Sequence, residues 1–167
     1  KDQAKLIYQK ALEKDDEFFI YDDFQERLTK KTSPHFDIRR PQDGIAEVFT
    51  QFASSFLSMN MPDTALLFTR LSLYLRPNFP LTQMVLASIL DQKQNYKAAM
   101  QHYKNFTQES PFYYLGQMRQ AETLLKRKKT KDALMLLDAL SASKPNWAAP
   151  HIAKADILRN EKKLKEA

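Results

Sequence analysis

The sequence predicts an all-α fold of antiparallel helix pairs, on three observations. Prolines stand at Pro77, Pro111 and Pro145, each 34 residues after the last. Alanines recur with the same step at Ala53, Ala87, Ala121 and Ala155, and again at Ala65, Ala99, Ala133 and Ala167. Helix formers (Ala, Leu, Lys, Gln, Glu) dominate between these markers, and the chain has only two glycines, Gly44 and Gly116. Alanine is small and favours helix, so one in each helix of a pair lets the two axes approach closely. Proline after the second helix stops it, because it lacks an N–H and disfavours helix in the residue before it.

The elements follow in order. A first unit, 46–79, is expected to hold helices Ala46–Met59 and Asp63–Leu75, with Asp63 capping the second. A second unit, 80–113, gives Pro80–Gln92 and Tyr96–Thr107. Pro80 suits a first helical position, where its missing N–H would be unpaired anyway. A third unit, 114–147, gives Tyr114–Lys128 and Lys131–Ala142. A fourth, 148–167, gives Ala148–Asn160 and a stub from Lys163, so it is read as truncated. Larger residues fill the space around the alanines: Leu86, Leu90, Tyr103 and Phe106 in the second unit, Leu124, Leu137 and Leu140 in the third.

Residues 1–45 are less regular. Ala4, Tyr8 and Ala11 have the spacing of a second repeat helix, so Asp2–Lys14 is read as the end of a truncated preceding repeat. Glu17–Lys30 is expected to be a further helix, with Phe18, Phe19, Tyr21, Phe24 and Leu28 available for burial. Lys31–Gly44 contains Thr32, Ser33, Pro34, Pro41 and Gly44, and is expected to be a linker.

A unit of 34 residues with two helices, paired small residues and a closing proline resembles the tetratricopeptide repeat. The resemblance covers residues 46–167. The chain departs from the family where a glycine common in the first helix is alanine each time, and where an aromatic near the start of that helix occurs only as Phe49. The resemblance implies a right-handed α-α superhelix, a solenoid of stacked helix pairs. After the linker, Gly44-Ile45-Ala46-Glu47-Val48-Phe49 resembles a segment of long bacterial repeat proteins, several of them exported. A cytoplasmic or a periplasmic location is consistent with that likeness.

The same resemblance implies protein binding in a concave groove lined by the first helix of each unit. Its inward-facing positions fall on Thr50, Ser54 and Leu57 in the first unit and on Leu81, Met84, Ser88 and Asp91 in the second. They fall on Leu115, Met118, Glu122 and Leu125 in the third, and on Ala149, Ile152, Asp156 and Arg159 in the fourth. A subgroup of the family clamps the carboxylate tail of heat-shock chaperones with Lys and Asn at these places. Here they hold Thr50, Met84, Met118 and Ile152, and Ser54, Ser88, Glu122 and Asp156, so no chaperone-tail binding is expected. An apolar strip edged by small polar and acidic groups suits an apolar or amphipathic peptide. Methionine adds adaptability, although Met84 and Met118 would equally serve as packing between helices.

Composition narrows the remaining classes. The 167 residues are 43% apolar and 28% charged, with net charge +6. Cysteine is absent, which removes disulfides, thiolate metal sites and cysteine nucleophiles. The cations are spread along the chain, whereas a nucleic-acid footprint would be a patch or stripe. The densest run is Lys126-Arg127-Lys128-Lys129 with Lys131, at a helix end and turn, where cations complement the helix dipole. No apolar run approaches the roughly 20 residues that span a bilayer, and no signal peptide is recognised. His35, His102 and His151 are far apart and lack companions at ligand spacing, and HExxH and GxSxG are absent. Asp15-Asp16-Glu17 and Asp22-Asp23 lack the central glycine of a calcium loop. Asn105-Phe106-Thr107 matches a glycosylation sequon, but falls within an expected packed helix.

The expectation is therefore a non-catalytic scaffold that binds a protein or peptide, without cofactor or metal. The alternatives are self-association through the truncated ends, read from a chain that opens at Lys1 and stops at Ala167 within a helical pattern, and a basic surface meeting acidic partners, lipid or nucleic acid.

Overall fold

The computed structural model describes Gln3, Leu6, Ile7, Lys10, residues 38–108 and residues 110–160. These four early residues are helical. The rest of the expected helices Asp2–Lys14 and Glu17–Lys30, His35 and the stub from Lys163 lie outside the described residues.

The described residues form helices and no strand. In order they are α1 (Pro41–Ser58), α2 (Pro62–Leu75), α3 (Pro80–Gln92), α4 (Tyr96–Lys104), α5 (Tyr113–Lys126), α6 (Thr130–Ser143) and α7 (Ala148–Asn160). They fall into two compact units, one within His35–Thr107 and one that includes Gln108–Ala167.

In the first unit α1 and α2 form a hairpin, α3 packs against both, and α4 packs against α3. Three of these helices open on proline, whose fixed φ and missing N–H fit the first turn. Ala53, Ala65, Val85 and Ile89 form the core, with Phe56, Leu57, Leu66 and Phe68 packed on it. Phe68 lies among three rings of α1: its centroid is 6.0 Å from Phe49, 5.4 Å from Phe52 and 5.3 Å from Phe56, the last stacked.

In the second unit α5 packs on α6 and α6 on α7. Ala121, Leu137, Leu140, Trp147 and Ile157 form its core, and Leu115, Met118, Ala149 and Ala153 pack around them. Trp147 meets Tyr114 edge-on at 6.0 Å, and the Lys144 ammonium sits 4.2 Å over the Tyr114 ring.

The 34-residue step is written in the backbone as well. Asn60, Gln94 and Lys128 each adopt a left-handed conformation, with φ of 60°, 62° and 59°. Around each, the same two bonds close the helix. Met61, Asn95 and Lys129 donate N–H to Phe56, Leu90 and Leu124, at 2.9, 2.8 and 2.9 Å. Asn60, Gln94 and Lys128 donate to Leu57, Asp91 and Leu125, at 3.0, 3.0 and 2.8 Å. This is the Schellman closure of a helix C-terminus. The bridge to the next pair repeats likewise: Phe79, Tyr113 and Trp147 donate N–H to Arg76, Ser110 and Lys144. Ala53, Ala65, Ala87, Ala99, Ala121 and Ala133 are all buried. Ala155 is only half-buried, and Ala167 lies outside the described residues.

Several bounds differ from the sequence expectation. α1 begins at Pro41, five residues before Ala46, although Pro41 and Gly44 read as breakers. Pro41 occupies the first helical position, and the Asp43 carboxylate accepts the N–H groups of Arg39 and Arg40 at 3.1 and 3.0 Å. Asp63 is not a cap: that position is Met61, and Asp63 sits in the first turn of α2. α4 ends at Lys104, well before Pro111; Asn105 is its C-cap, and Phe106 just beyond it is buried. The sequon Asn105-Phe106-Thr107 thus lies just past a helix, with Asn105 and Thr107 exposed.

Candidate functional site

The positions assigned to a groove are not equivalent in the structure. Thr50 is 0% exposed. Its Oγ1 donates to the Ala46 carbonyl at 2.8 Å and lies 2.9 Å from Ser72 Oγ and 2.6 Å from Thr82 Oγ1. Ser72 Oγ also donates to the Ala46 carbonyl, at 2.8 Å, and lies 2.9 Å from Thr82 Oγ1. The three hydroxyls tie α1, α2 and α3 together, so Thr50 is interior packing and not a partner-facing residue. Met84 is 5% exposed and belongs to the interior too. Thr50 lies on the side of α1 where α3 sits.

Of the remaining positions in this compact unit, Asp91 is buried and Leu57 half-buried. Ser54 and Leu81 are half-buried. Ser88 is half-buried, with its Oγ 3.4 Å from the Tyr103 hydroxyl.

The other candidates lie on α5 and α7 of the second unit. Leu115 and Met118 of α5 pack against the same core as Ala149 and Ala153 of α7, and they remain half-buried. Glu122, one turn beyond Met118, accepts a bond from Arg119 at 2.8 Å. Ile152 of α7 is 59% exposed, with no burial to account for its apolar side chain. Asp156, one turn beyond Ile152, is ion-paired with Arg159. Each helix therefore presents an apolar residue followed by a carboxylate paired with a guanidinium. Such a surface can bury one apolar side of a peptide and bond its polar edge.

Two surface features were not singled out as apolar sites by sequence reasoning. Ile45, Val48 and Phe52 are exposed along α1, and Leu67, Leu71 and Tyr74 along α2. Their spacing of three and four residues was a readable signal of a helix stripe.

Two of the three histidines fall among the described residues. His102 is half-buried, and burial lowers its pKa. His151 is exposed, with Nε2 3.2 Å from the Pro145 carbonyl. Among the described residues, no group of three His, Cys, Asp or Glu side chains could hold a metal ion, and no helix is long and apolar enough to cross a membrane.

The basic run forms the turn between α5 and α6. Lys126, Arg127, Lys128, Lys129 and Lys131 are all exposed. Lys129 lies 3.7 Å from the Asp132 carboxylate.

Comparison with known proteins adds no relative: no family model, curated protein or solved structure matches the chain.

Proposed function

We infer that the chain is a tetratricopeptide-type scaffold, stacked as a right-handed superhelix, whose role is to hold a protein segment and not to catalyse a reaction. One observation carries this reading. The same left-handed turn, with the same pair of closing bonds, recurs at Asn60, Gln94 and Lys128, between helices whose alanines are buried at matching positions. Repeated helix pairs of this kind bury a shared core only by stacking, and their exposed faces serve as extended binding surfaces.

The partner surface we favour lies on α5 and α7, at Leu115, Met118, Glu122, Ile152 and Asp156. Its occupant would be an apolar or amphipathic segment that covers Ile152 and offers donors to the two carboxylates. Selection of a displayed peptide library on the immobilised chain tests this. Selected peptides should carry apolar residues three or four apart and should bind the Ile152→Glu variant at least tenfold more weakly, with an unchanged melting midpoint. Peptides that bind Ile152→Glu as well as wild type would remove this face from the account.

Self-association is a second reading, favoured by the exposed stripe Ile45, Val48 and Phe52. Shifted by one 34-residue step, these positions become Phe79, Thr82 and Leu86, on the start of α3, which packs against α1 and α2. The α1 stripe is therefore the face that in α3 meets a preceding hairpin. Sedimentation over a wide concentration range decides: a monomer throughout rules this reading out.

A further inference from the structure

We propose that the turn between α5 and α6 docks on an anionic lipid bilayer. Its charge is not needed to build it. The same backbone turn is made twice more, at Met59-Asn60-Met61 and Lys93-Gln94-Asn95, the positions equivalent to Arg127-Lys128-Lys129. The first of those turns has no cation, and in the second Lys93 is paired with Asp63 at 2.5 Å. Only the third gathers five cations in six residues.

Local physics works against this arrangement. The helix dipole favours cations only in the last turn of α5, which accounts for Lys126 and Arg127. Lys129 and Lys131 stand at the start of α6, where the dipole disfavours positive charge. Lys128 adopts φ of 59°, a conformation lysine enters at a cost. Among the described residues, Arg127, Lys128 and Lys131 form no ion pair, and Lys129 lies 3.7 Å from the Asp132 carboxylate. Like charges this close repel one another, and with Arg127, Lys128 and Lys131 unpaired among the described residues they point to a compensating anion outside the chain.

The form of the turn selects among anions. It is the tip of a helix hairpin, with no aromatic residue from 126 to 131 on which bases could stack. The tip offers no helix or strand to enter a duplex groove and no concave wall to hold an acidic peptide. A plane of headgroups asks only for a protruding cluster of about four to eight cations, each contributing separately to adsorption.

Co-sedimentation of the full chain with vesicles of about 30% phosphatidylserine in phosphatidylcholine tests the proposal, since such surfaces attract basic clusters. The neutral variant Arg127→Met/Lys128→Asn/Lys129→Asn uses side chains that the other two turns already carry on this backbone. Its partition coefficient should fall by roughly 100-fold, and that of Arg127→Gln/Lys131→Gln, which leaves the left-handed residue in place, by roughly 30-fold. The control Arg70→Gln/Lys97→Gln/Lys104→Gln loses as many charges elsewhere and should stay within about threefold of wild type. Raising the salt should weaken binding of wild type. The proposal is overturned if wild type does not bind anionic vesicles at low salt, if it binds pure phosphatidylcholine equally, or if the control loses as much as the turn variants. Tighter binding to duplex DNA or single-stranded RNA than to vesicles at equal salt would reassign the turn to nucleic acid and overturn it too.

Discussion

Thr50 and Thr82, 32 residues apart, place their hydroxyl oxygens 2.6 Å from each other at a point where α1 and α3 meet. Ser72 completes the group from α2. The donors can all be satisfied: Thr50 and Ser72 give their protons to the Ala46 carbonyl, and Thr82 gives its own to Thr50. An apolar core with one closed polar group has a preferred register, because sliding either helix would strand a buried hydroxyl.

Removing one hydroxyl from this group should cost about 0.5–1.5 kcal/mol, the net worth of a typical internal hydrogen bond. Thr82→Val and Thr50→Val are the shape-conserving choices. The triple variant Thr50→Val/Ser72→Ala/Thr82→Val should cost clearly less than the three single changes added together, since it leaves no polar atom of the group behind. Urea unfolding of the four variants measures this. Strict additivity would show that the hydroxyls act independently.

The left-handed turns predict a gain from substitution. Glycine enters positive φ freely, whereas a side chain there costs roughly 1–2 kcal/mol. Glycine also loses more entropy on folding, by roughly 0.5–1 kcal/mol. Gln94→Gly and Lys128→Gly should therefore stabilise the protein by up to about 1 kcal/mol, and Asn60→Gly by less, because asparagine tolerates this conformation. A loss of stability on Lys128→Gly would show that the turn is not left-handed in solution.

The buried alanines predict the reverse. Ala53, Ala87, Ala121 and Ala133 are at most 1% exposed, so leucine at any of them should overpack the contact and cost about 1–3 kcal/mol. Ala155 belongs to the same series but is half-buried, and leucine there should be tolerated within about 0.5 kcal/mol. Thermal melts of Ala121→Leu and Ala155→Leu make the comparison; equal effects would mean that Ala155 is packed as closely as Ala121.

The spacing of alanine and proline made the helices legible, and α3 and α7 run over the residues that spacing marks. It could not place the left-handed residues. Asn60 and Gln94 carry a carboxamide but Lys128 an ammonium, and glycine, the usual signal, is missing from all three turns. The start of α1 was obscured because Pro41 and Gly44 break a helix in its interior but not in its first turn. The candidate surface was legible only in part. Helix spacing gives a direction for each side chain but not what lies in that direction, so Thr50 and Ile152 read alike from sequence. One proved to be interior, the other open.

Asp43 supplies a pH test of the α1 start. Its carboxylate accepts a 2.9 Å bond from the Arg40 guanidinium as well as the Arg39 and Arg40 N–H groups, and Arg40 above all holds its pKa down at about 2. An unfolded aspartate titrates near 3.9. The folded state thus binds this proton less readily than the unfolded one, so the contribution is complete above about pH 4 and fades as pH falls toward 2. Hydrogen exchange of the amides in the first turns of α1 should quicken over that window relative to the amides of α3. In Asp43→Asn the first turns of α1 should exchange faster even at neutral pH, and that difference from α3 should no longer depend on pH between about 4 and 2. A wild-type protein whose α1 amides track those of α3 down to pH 2 would show that Asp43 does not hold the helix start.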